Sequence, residues 1–402
     1  MKQYDFDTVI NRQNTASIKS DYFQDECIPL WVADMDFPVA DEIIEAAQKR
    51  LTHPLFGYTM MKDSLLEAVI QWFETRHQVS FPKEGIIPYY GVVSAMHLII
   101  QALTKKKDSI AILSPVYMRF PTAVFDTGRS LRQGYWVCRN GKLQIHFESL
   151  ETAMKESKIL FLCNPHNPLG RVLTHAELHR IYQLAEKYQC LVVSDEIHCD
   201  LIMPGFKHLP FLNIHPKAKE RTITLVSATK TFNLAQAGIA FIVCTNPDHK
   251  QAIEKVMTQY HLGQMNLLAM EMVEAAYRNG HDWLDQVNPY IYQNYLYVKT
   301  TIETYIPRIR VHPLEGSYLL WLDARRICEG VQTFFESMGH VRGIDGIQFG
   351  EEGEGHYRLN LASPRSVLTQ AMKQLIHAYQ QLYPKEVGGV NHETNYPDTT
   401  CD

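Results

Sequence analysis

Thr222-Ile223-Thr224-Leu225-Val226-Ser227-Ala228-Thr229-Lys230-Thr231-Phe232-Asn233 is the stretch on which the fold turns. A nearly continuous apolar run breaks into a hydroxyl-rich turn that carries a lysine. Such a run, without strict polar alternation, is the pattern of a strand covered on both faces. Residues 109–113, 158–163, 191–194 and 239–244 read the same way, rich in Ile, Leu, Val and Phe. The segments between them have helical spacing. Thr174-His175-Ala176-Glu177 forms a capping box, and Leu178, Ile181, Tyr182, Ala185 and Tyr188 recur behind it on one face. Strand–helix alternation from about residue 85 to 250 predicts an α/β domain around a mostly parallel sheet.

Outward from this centre the pattern changes. Residues 1–35 are irregular, and Asp41–Leu51 and 62–77 look helical. A helical stretch from about 282 to 305 leads to a strand-like segment at 316–323 and a last helix near 366–383. This predicts an N-terminal arm (1–45) joining a smaller α+β domain (286–384), a large domain (46–285), and a disordered tail (385–402) poor in large apolar groups.

Composition sets outer limits. The chain has 402 residues, with 39 basic and 44 acidic side chains and a net charge of −5. At about 150 residues per domain that allows two or three domains. Hydrophobic residues make up 46%, ample for a large core and against disorder or a fibrous repeat. Lys105-Lys106-Lys107 is the only basic triplet, too little for a nucleic-acid face. No stretch nears the roughly 18 apolar residues of a membrane span, and Met1-Lys2-Gln3-Tyr4-Asp5 lacks the pattern of a secretory signal. The eight cysteines include no C-x-x-C pair and form no disulfide framework. Together these features point to a soluble cytoplasmic protein.

Two motifs imitate metal sites. His175 and His179 are four residues apart, but Glu177 is one position too late for a metalloprotease helix and serves the cap. Asp195-Glu196-Ile197-His198-Cys199-Asp200 is ligand-rich, but adjacent residues after a strand diverge. No metal is expected at either. There is no G-x-G-x-x-G, Walker or G-x-S-x-G motif, and Gly350, Gly353 and Gly355 are interleaved with acids, the wrong sign for phosphate.

Lys230 follows a parallel strand at its carboxyl end, where open α/β sheets bind ligands. A lysine there, flanked by Ser227, Thr229 and Thr231, can be an exposed turn residue or the amine that bonds pyridoxal phosphate. The other groups such a cofactor needs stand after other strands. Asp195 can hold the pyridine nitrogen protonated through a charge-assisted hydrogen bond. The segment Asn164-Pro165-His166-Asn167-Pro168 offers amides to the ring hydroxyl, and Tyr117 offers a ring to stack. Gly91-Val92-Val93-Ser94-Ala95 opens a helix whose N–H groups suit a phosphate. Arg358 supplies a fork for a substrate carboxylate.

Taken together, these motifs resemble a pyridoxal-phosphate enzyme of fold type I in the class I/II aminotransferase superfamily. Leu30-Trp31-Val32-Ala33-Asp34-Met35-Asp36-Phe37-Pro38, the segment 194–201, Thr229-Lys230-Thr231-Phe232-Asn233-Leu234 and the segment 358–365 resemble its MalY/PatB group of cystathionine β-lyases. The resemblance implies a large domain with a seven-stranded, mostly parallel sheet and a homodimer with shared active sites. It implies Lys230 as the Schiff-base lysine and general acid/base, Asp195 on the pyridinium nitrogen, and Asn167 and His198 at the ring hydroxyl. Tyr117 is implied as the stacking ring. Val93, Ser94, Ala95, Ser227 and Thr229 would hold the phosphate, and Tyr58 the phosphate of the other subunit. Arg358, Asn360, Asn164 and Ala33 would bind substrate.

The implied reaction is α,β-elimination on cysteine S-conjugates. The alternatives are an aminotransferase using the same groups, or a regulatory protein that keeps the fold. Two departures stand out. Gly238 occupies the position where aspartate-type aminotransferases carry a phosphate-binding Arg, and the C–S lyases also lack that Arg. Met118 replaces a second tyrosine found in some C–S lyases.

Overall fold

The computed structural model describes residues 2–139 and 141–386. Its first strand, Ile28–Pro29 (β1), lies in the N-terminal arm. A large sheet follows, from Ile86–Tyr89 (β2), Ser109–Ser114 (β3), Ser130–Arg139 (β4), Lys142–His146 (β5), Ile159–Cys163 (β6), Leu191–Asp195 (β7), Thr222–Val226 (β8) and Ala240–Cys244 (β9). Smaller strands are Arg310–Val311 (β10), Leu319–Asp323 (β11), Val341–Arg342 (β12), Ile344–Asp345 (β13) and His356–Asn360 (β14).

The large sheet has the order β2-β9-β8-β7-β6-β3-β4-β5. Strands β4, β3, β6, β7 and β8 pair in parallel, while β9 and β5 pair antiparallel to their neighbours. It therefore has eight strands where seven are implied. The eighth, β5, closes a hairpin with β4 in a segment whose half-exposed pattern differs from the continuous apolar runs.

Side-chain alternation explains why those runs are apolar throughout. Ile110 and Ile112, with Phe161 and Val193, face one layer that includes the helix Val92–Leu103. Ala111 and Leu113, with Leu160 and Val192, face the other, with the helices Phe147–Lys155 and His175–Tyr188. Successive residues of a strand point to opposite faces, so a sheet sandwiched by helices is apolar at every position.

The small sheet has the order β10-β11-β14-β13. The strand-like segment 316–323 begins its ladder only at Leu319. Gly316 N–H bonds Gly170 O and Ser317 N–H bonds Leu201 O, so these residues tie to the large-sheet side instead. β1 pairs in parallel with β12, carrying the arm onto the C-terminal part. From residue 387 onward the expected tail lies outside the described residues. Lys385 and Glu386 are described, and Glu386 pairs with Arg308 at 2.7 Å.

Candidate active site

The parallel strands end on one edge, and the loops there enclose a cavity of about 1020 Å³. Lys230, Asp195, Asn167, His198, Tyr117 and Arg358 all line it. Ala33, Val93, Ser94 and Thr229 line it too. Residues from seven segments of the chain thus meet: five segments follow strands of the large sheet at one carboxyl edge, and Ala33 and Arg358 come from the arm and the small sheet.

Asp195 ends β7 and is 5% exposed. One carboxylate oxygen accepts the Ile197 N–H at 3.1 Å, and the other has no hydrogen-bond donor among the described residues. Burial pushes its pKa up to about 7; Glu196 adds to this and Lys230 opposes it. Lys230 sits in the one-turn helix Ala228–Thr231, whose Thr229 N–H is capped by Ser227 Oγ at 3.1 Å. Its Nζ donates to Ala33 O at 2.5 Å. Burial pulls this amine down to about 8, with Asp34 and Asp195 opposing and Arg358 assisting.

His198 is buried with Nδ1 unpartnered, and burial holds it neutral, near 3. Arg358, in β14, is 2% exposed. Its Nη1 donates to Asn167 Oδ1 at 3.0 Å and Nη2 to Trp31 O at 2.9 Å, while Nε has no partner. The guanidinium lies 4.9 Å from the Phe349 ring centroid, and burial lowers its pKa to about 10. Gly91 enters the helix Val92–Leu103 at φ +87°, a conformation that glycine adopts freely, and no side chain caps that helix. The first-turn N–H groups therefore face the cavity without an intrahelical acceptor.

Five expected residues are placed differently. Ala95 is buried and its N–H bonds Gly91 O at 3.1 Å, so the helix itself uses that donor. Ser227 lies just behind the cavity wall, donating to Ile239 O at 2.6 Å. Asn164 is buried outside the cavity, with Oδ1 accepting the Leu173 N–H at 3.0 Å. Asn360 Nδ2 donates to Val32 O at 2.7 Å and Asp34 O at 2.5 Å, so it positions the arm. Tyr58 is 97% exposed and does not line this chain's own cavity.

The remaining motif acids face elsewhere. Glu196 takes Ser194 Oγ at 2.8 Å, His208 Nε2 at 2.9 Å and the Phe211 N–H at 3.0 Å. Asp200 binds His77, Trp72 and Thr231. His175 and His179 stack at 6.0 Å, and Glu177 is engaged by the Thr174 cap and Arg171.

Other contributors escaped sequence reading. Tyr318 Oη donates to Ala33 O at 2.9 Å. The arm is anchored by Arg12 on Asp34 and Asp36 at 2.6 and 2.8 Å, and by buried Lys19 on Asp36 at 2.7 Å. Asn233, at φ +56°, accepts the Met35 N–H at 2.9 Å and donates to Met35 O and Phe37 O at 3.0 Å each. The quoted motif around Trp31–Phe37 marked the segment, but its working atoms are mostly backbone carbonyls, which no side-chain pattern reveals.

Comparison with known proteins agrees with this geometry. The chain is 32% identical over 380 residues to cystathionine beta-lyase PatB of Bacillus subtilis, covering 92% of this chain and 98% of PatB. It is 30% identical over 392 residues to protein MalY of Escherichia coli, covering 93% and 98%. Cystalysin of Treponema denticola, solved with a pyridoxal 5′-phosphate cofactor, superposes with a TM-score of 0.91 at 33% identity, covering 95% of this chain and all of that one. The model for aminotransferase class I and II matches residues 25–375, and the chain belongs to that family.

Proposed function

We propose that this protein is a pyridoxal 5′-phosphate-dependent carbon–sulfur lyase. It takes L-cystathionine and related cysteine S-conjugates through α,β-elimination. With water, cystathionine yields homocysteine, pyruvate and ammonia. One observation carries the reading: Lys230, Asp195 and Arg358 line a single cavity, the last two buried and Lys230 half-buried, each with its pKa moved by desolvation.

The residues fit the cofactor. The unpartnered Nδ1 of His198 is a buried polar atom, a costly state unless a ligand satisfies it, and beside it buried Asp195 is bonded only through one carboxylate oxygen among the described residues. Bound here, pyridoxal phosphate supplies a protonated ring that draws electrons from a substrate's α-carbon.

Asp195 would face the ring nitrogen, where a cation beside it offsets the burial cost of its charge. Asn167, with neutral His198 nearby, would meet the ring hydroxyl, and Tyr117 would stack. Val93 and Ser94 at the helix start, with the Thr229 hydroxyl supported by Ser227, would hold the phosphate. Lys230 would bond the cofactor's carbonyl carbon and later take the substrate's α-proton. Its lowered pKa leaves a useful neutral fraction near neutral pH. Arg358 would turn its fork from Asn167 and Trp31 to the substrate carboxylate.

The dimer belongs to the same reading. Leu55, Phe56, Tyr58 and Met60 form an exposed apolar run, which supports a two-fold contact in which Tyr58 reaches the other subunit's phosphate. The division into an arm (1–45), a large domain (46–285) and a small domain (286–384) is supported by the two sheets. No helix among the described residues is long and apolar enough to cross a membrane. Cys163, Cys190, Cys199 and Cys244 are buried thiols, which supports a reducing, cytoplasmic setting.

The test is to incubate the cofactor-loaded protein with L-cystathionine and measure pyruvate and free thiol. Equimolar release of both is expected. Amino transfer to 2-oxoglutarate with no pyruvate would overturn the reading in favour of an aminotransferase.

A further inference from the structure

A second cavity, of about 940 Å³, lies between the small sheet and the β4–β5 hairpin, and none of the residues assigned above to the cofactor lines it. In its wall three side chains converge from adjacent strands. His312 follows β10, Asp323 ends β11 and His356 begins β14. Asp323 and His356 are direct partners in the ladder. His312 N–H bonds Trp321 O at 3.2 Å, and Trp321 shares a face with Asp323 two residues on. One ligand atom from each of the three lies within 4.8 Å of the others.

His312 makes this more than a cluster. It is 2% exposed, and neither ring nitrogen has a hydrogen-bond partner. A buried polar group left unsatisfied destabilises the fold, a cost that an apolar residue there would avoid. Burial holds this imidazole neutral, near 3, the state in which it can donate a lone pair.

His356 is already oriented for the same task. Its Nδ1 lies 3.0 Å from Glu354 O, an atom that can only accept. The proton must therefore sit on Nδ1, leaving the Nε2 lone pair bare, as in histidines that ligate metals. Trp321 stacks on this ring at 5.2 Å and fixes its plane. Asp323 is held down to about 2; its burial opposes this, and the hydrogen bonds and charge of Arg325 outweigh it. Arg325 orients this carboxylate, its N–H and Nε donating to Oδ1 at 3.2 and 3.0 Å and its Nη2 to Oδ2 at 2.8 Å; Oδ2 accepts no other bond among the described residues and keeps a lone pair. Asp345, Glu351 and Glu352 also line the cavity and favour a cation. By contrast, the buried trio His77, Cys199 and Asp200 is bound up in hydrogen bonds, with His77 Nε2 on Asp200 at 2.7 Å.

We propose that His312, Asp323 and His356 bind a divalent transition cation of the Zn²⁺ class, with a fourth coordination position open to the cavity. Two imidazoles and a carboxylate with an open site suit that ion. The site is separate from the lyase reading and its test does not use activity.

The cofactor-loaded protein, freed of metal with a chelator, is titrated with Zn²⁺ by calorimetry, and bound metal per chain is measured. One tightly held ion per chain is expected, with affinity falling about tenfold or more in His312→Gln and His356→Gln. Cys138→Ser and Cys328→Ser, which alter thiols in the same cavity wall, should keep the ion. Unchanged affinity in both histidine variants, or no uptake by the unaltered protein, would overturn the proposal. X-ray absorption of the Co²⁺-loaded, unaltered protein gives a reading independent of variant folding. Nitrogen and oxygen neighbours support the site, and sulfur neighbours refute it.

Discussion

Lys230 Nζ donates a 2.5 Å hydrogen bond to Ala33 O, across 197 residues of sequence. Tyr318 Oη donates to the same oxygen at 2.9 Å. The N-terminal arm is therefore part of the wall against which the lysine is held, and it removes that amine from water.

This burial predicts how cofactor capture depends on pH. A lysine amine attacks a carbonyl carbon only when neutral, and burial lowers its pKa from 10.5 to about 8. The rate at which cofactor-free protein takes up pyridoxal phosphate should rise with pH and level off above about 8, read by the cofactor's visible absorbance. A midpoint at the ordinary lysine value would refute a buried amine. Lys230→Ala should abolish the linkage and lower turnover by roughly 10²–10⁴-fold or more.

Asp195→Asn should separate stability from function. The carboxyl pKa rises from 3.8 to about 7 on folding, so the folded state binds the proton more tightly than the unfolded state. Stability of the cofactor-free protein should then fall as pH rises through that window. The neutral amide removes this loss, a gain on the order of 1–4 kcal/mol at alkaline pH in urea unfolding. Cofactor affinity and turnover should drop in the same variant, because the ring nitrogen loses its charged partner.

Arg358→Lys keeps the charge and loses the fork. Charge-assisted hydrogen bonds contribute roughly 1.5–3 kcal/mol, so KM for cystathionine should rise about tenfold to a hundredfold. Cofactor absorbance should stay unchanged. Lost absorbance would instead make Arg358 a structural support of the cofactor pocket.

Asn233 holds the arm with three hydrogen bonds from a left-handed backbone. Asn233→Ala adds backbone strain of about 1–2 kcal/mol to the lost bonds, while Asn233→Gly loses the bonds alone. Both should reduce kcat/KM by loosening Ala33, and Ala should lower Tm further than Gly. Equal Tm values would show that the backbone conformation contributes nothing.

Tyr58→Ala removes a side chain that is 97% exposed in one chain. The fold should be unaffected by thermal unfolding of the apoprotein. Pyridoxal phosphate affinity should fall severalfold if the ring reaches a partner's phosphate. Unaltered affinity would take Tyr58 out of the site.

Sequence alone determined five of the large sheet's eight strands and the groups that follow four of them. Lys230, Asp195, Asn167 and Tyr117 each follow an apolar run closely, and a buried parallel strand makes such a run legible because both its faces meet helices. Tertiary structure alone decided the rest. Arg358 meets Asn167 across 191 residues and Trp31 across 327, and Asn360 reaches Val32 across 328. It also turned Asn360 and Asn164 away from the cavity and gathered His312, Asp323 and His356 on another. Contacts that end on backbone carbonyls, or that join strands distant in the chain, leave no periodic trace in a sequence. The chain must fold before those atoms become neighbours.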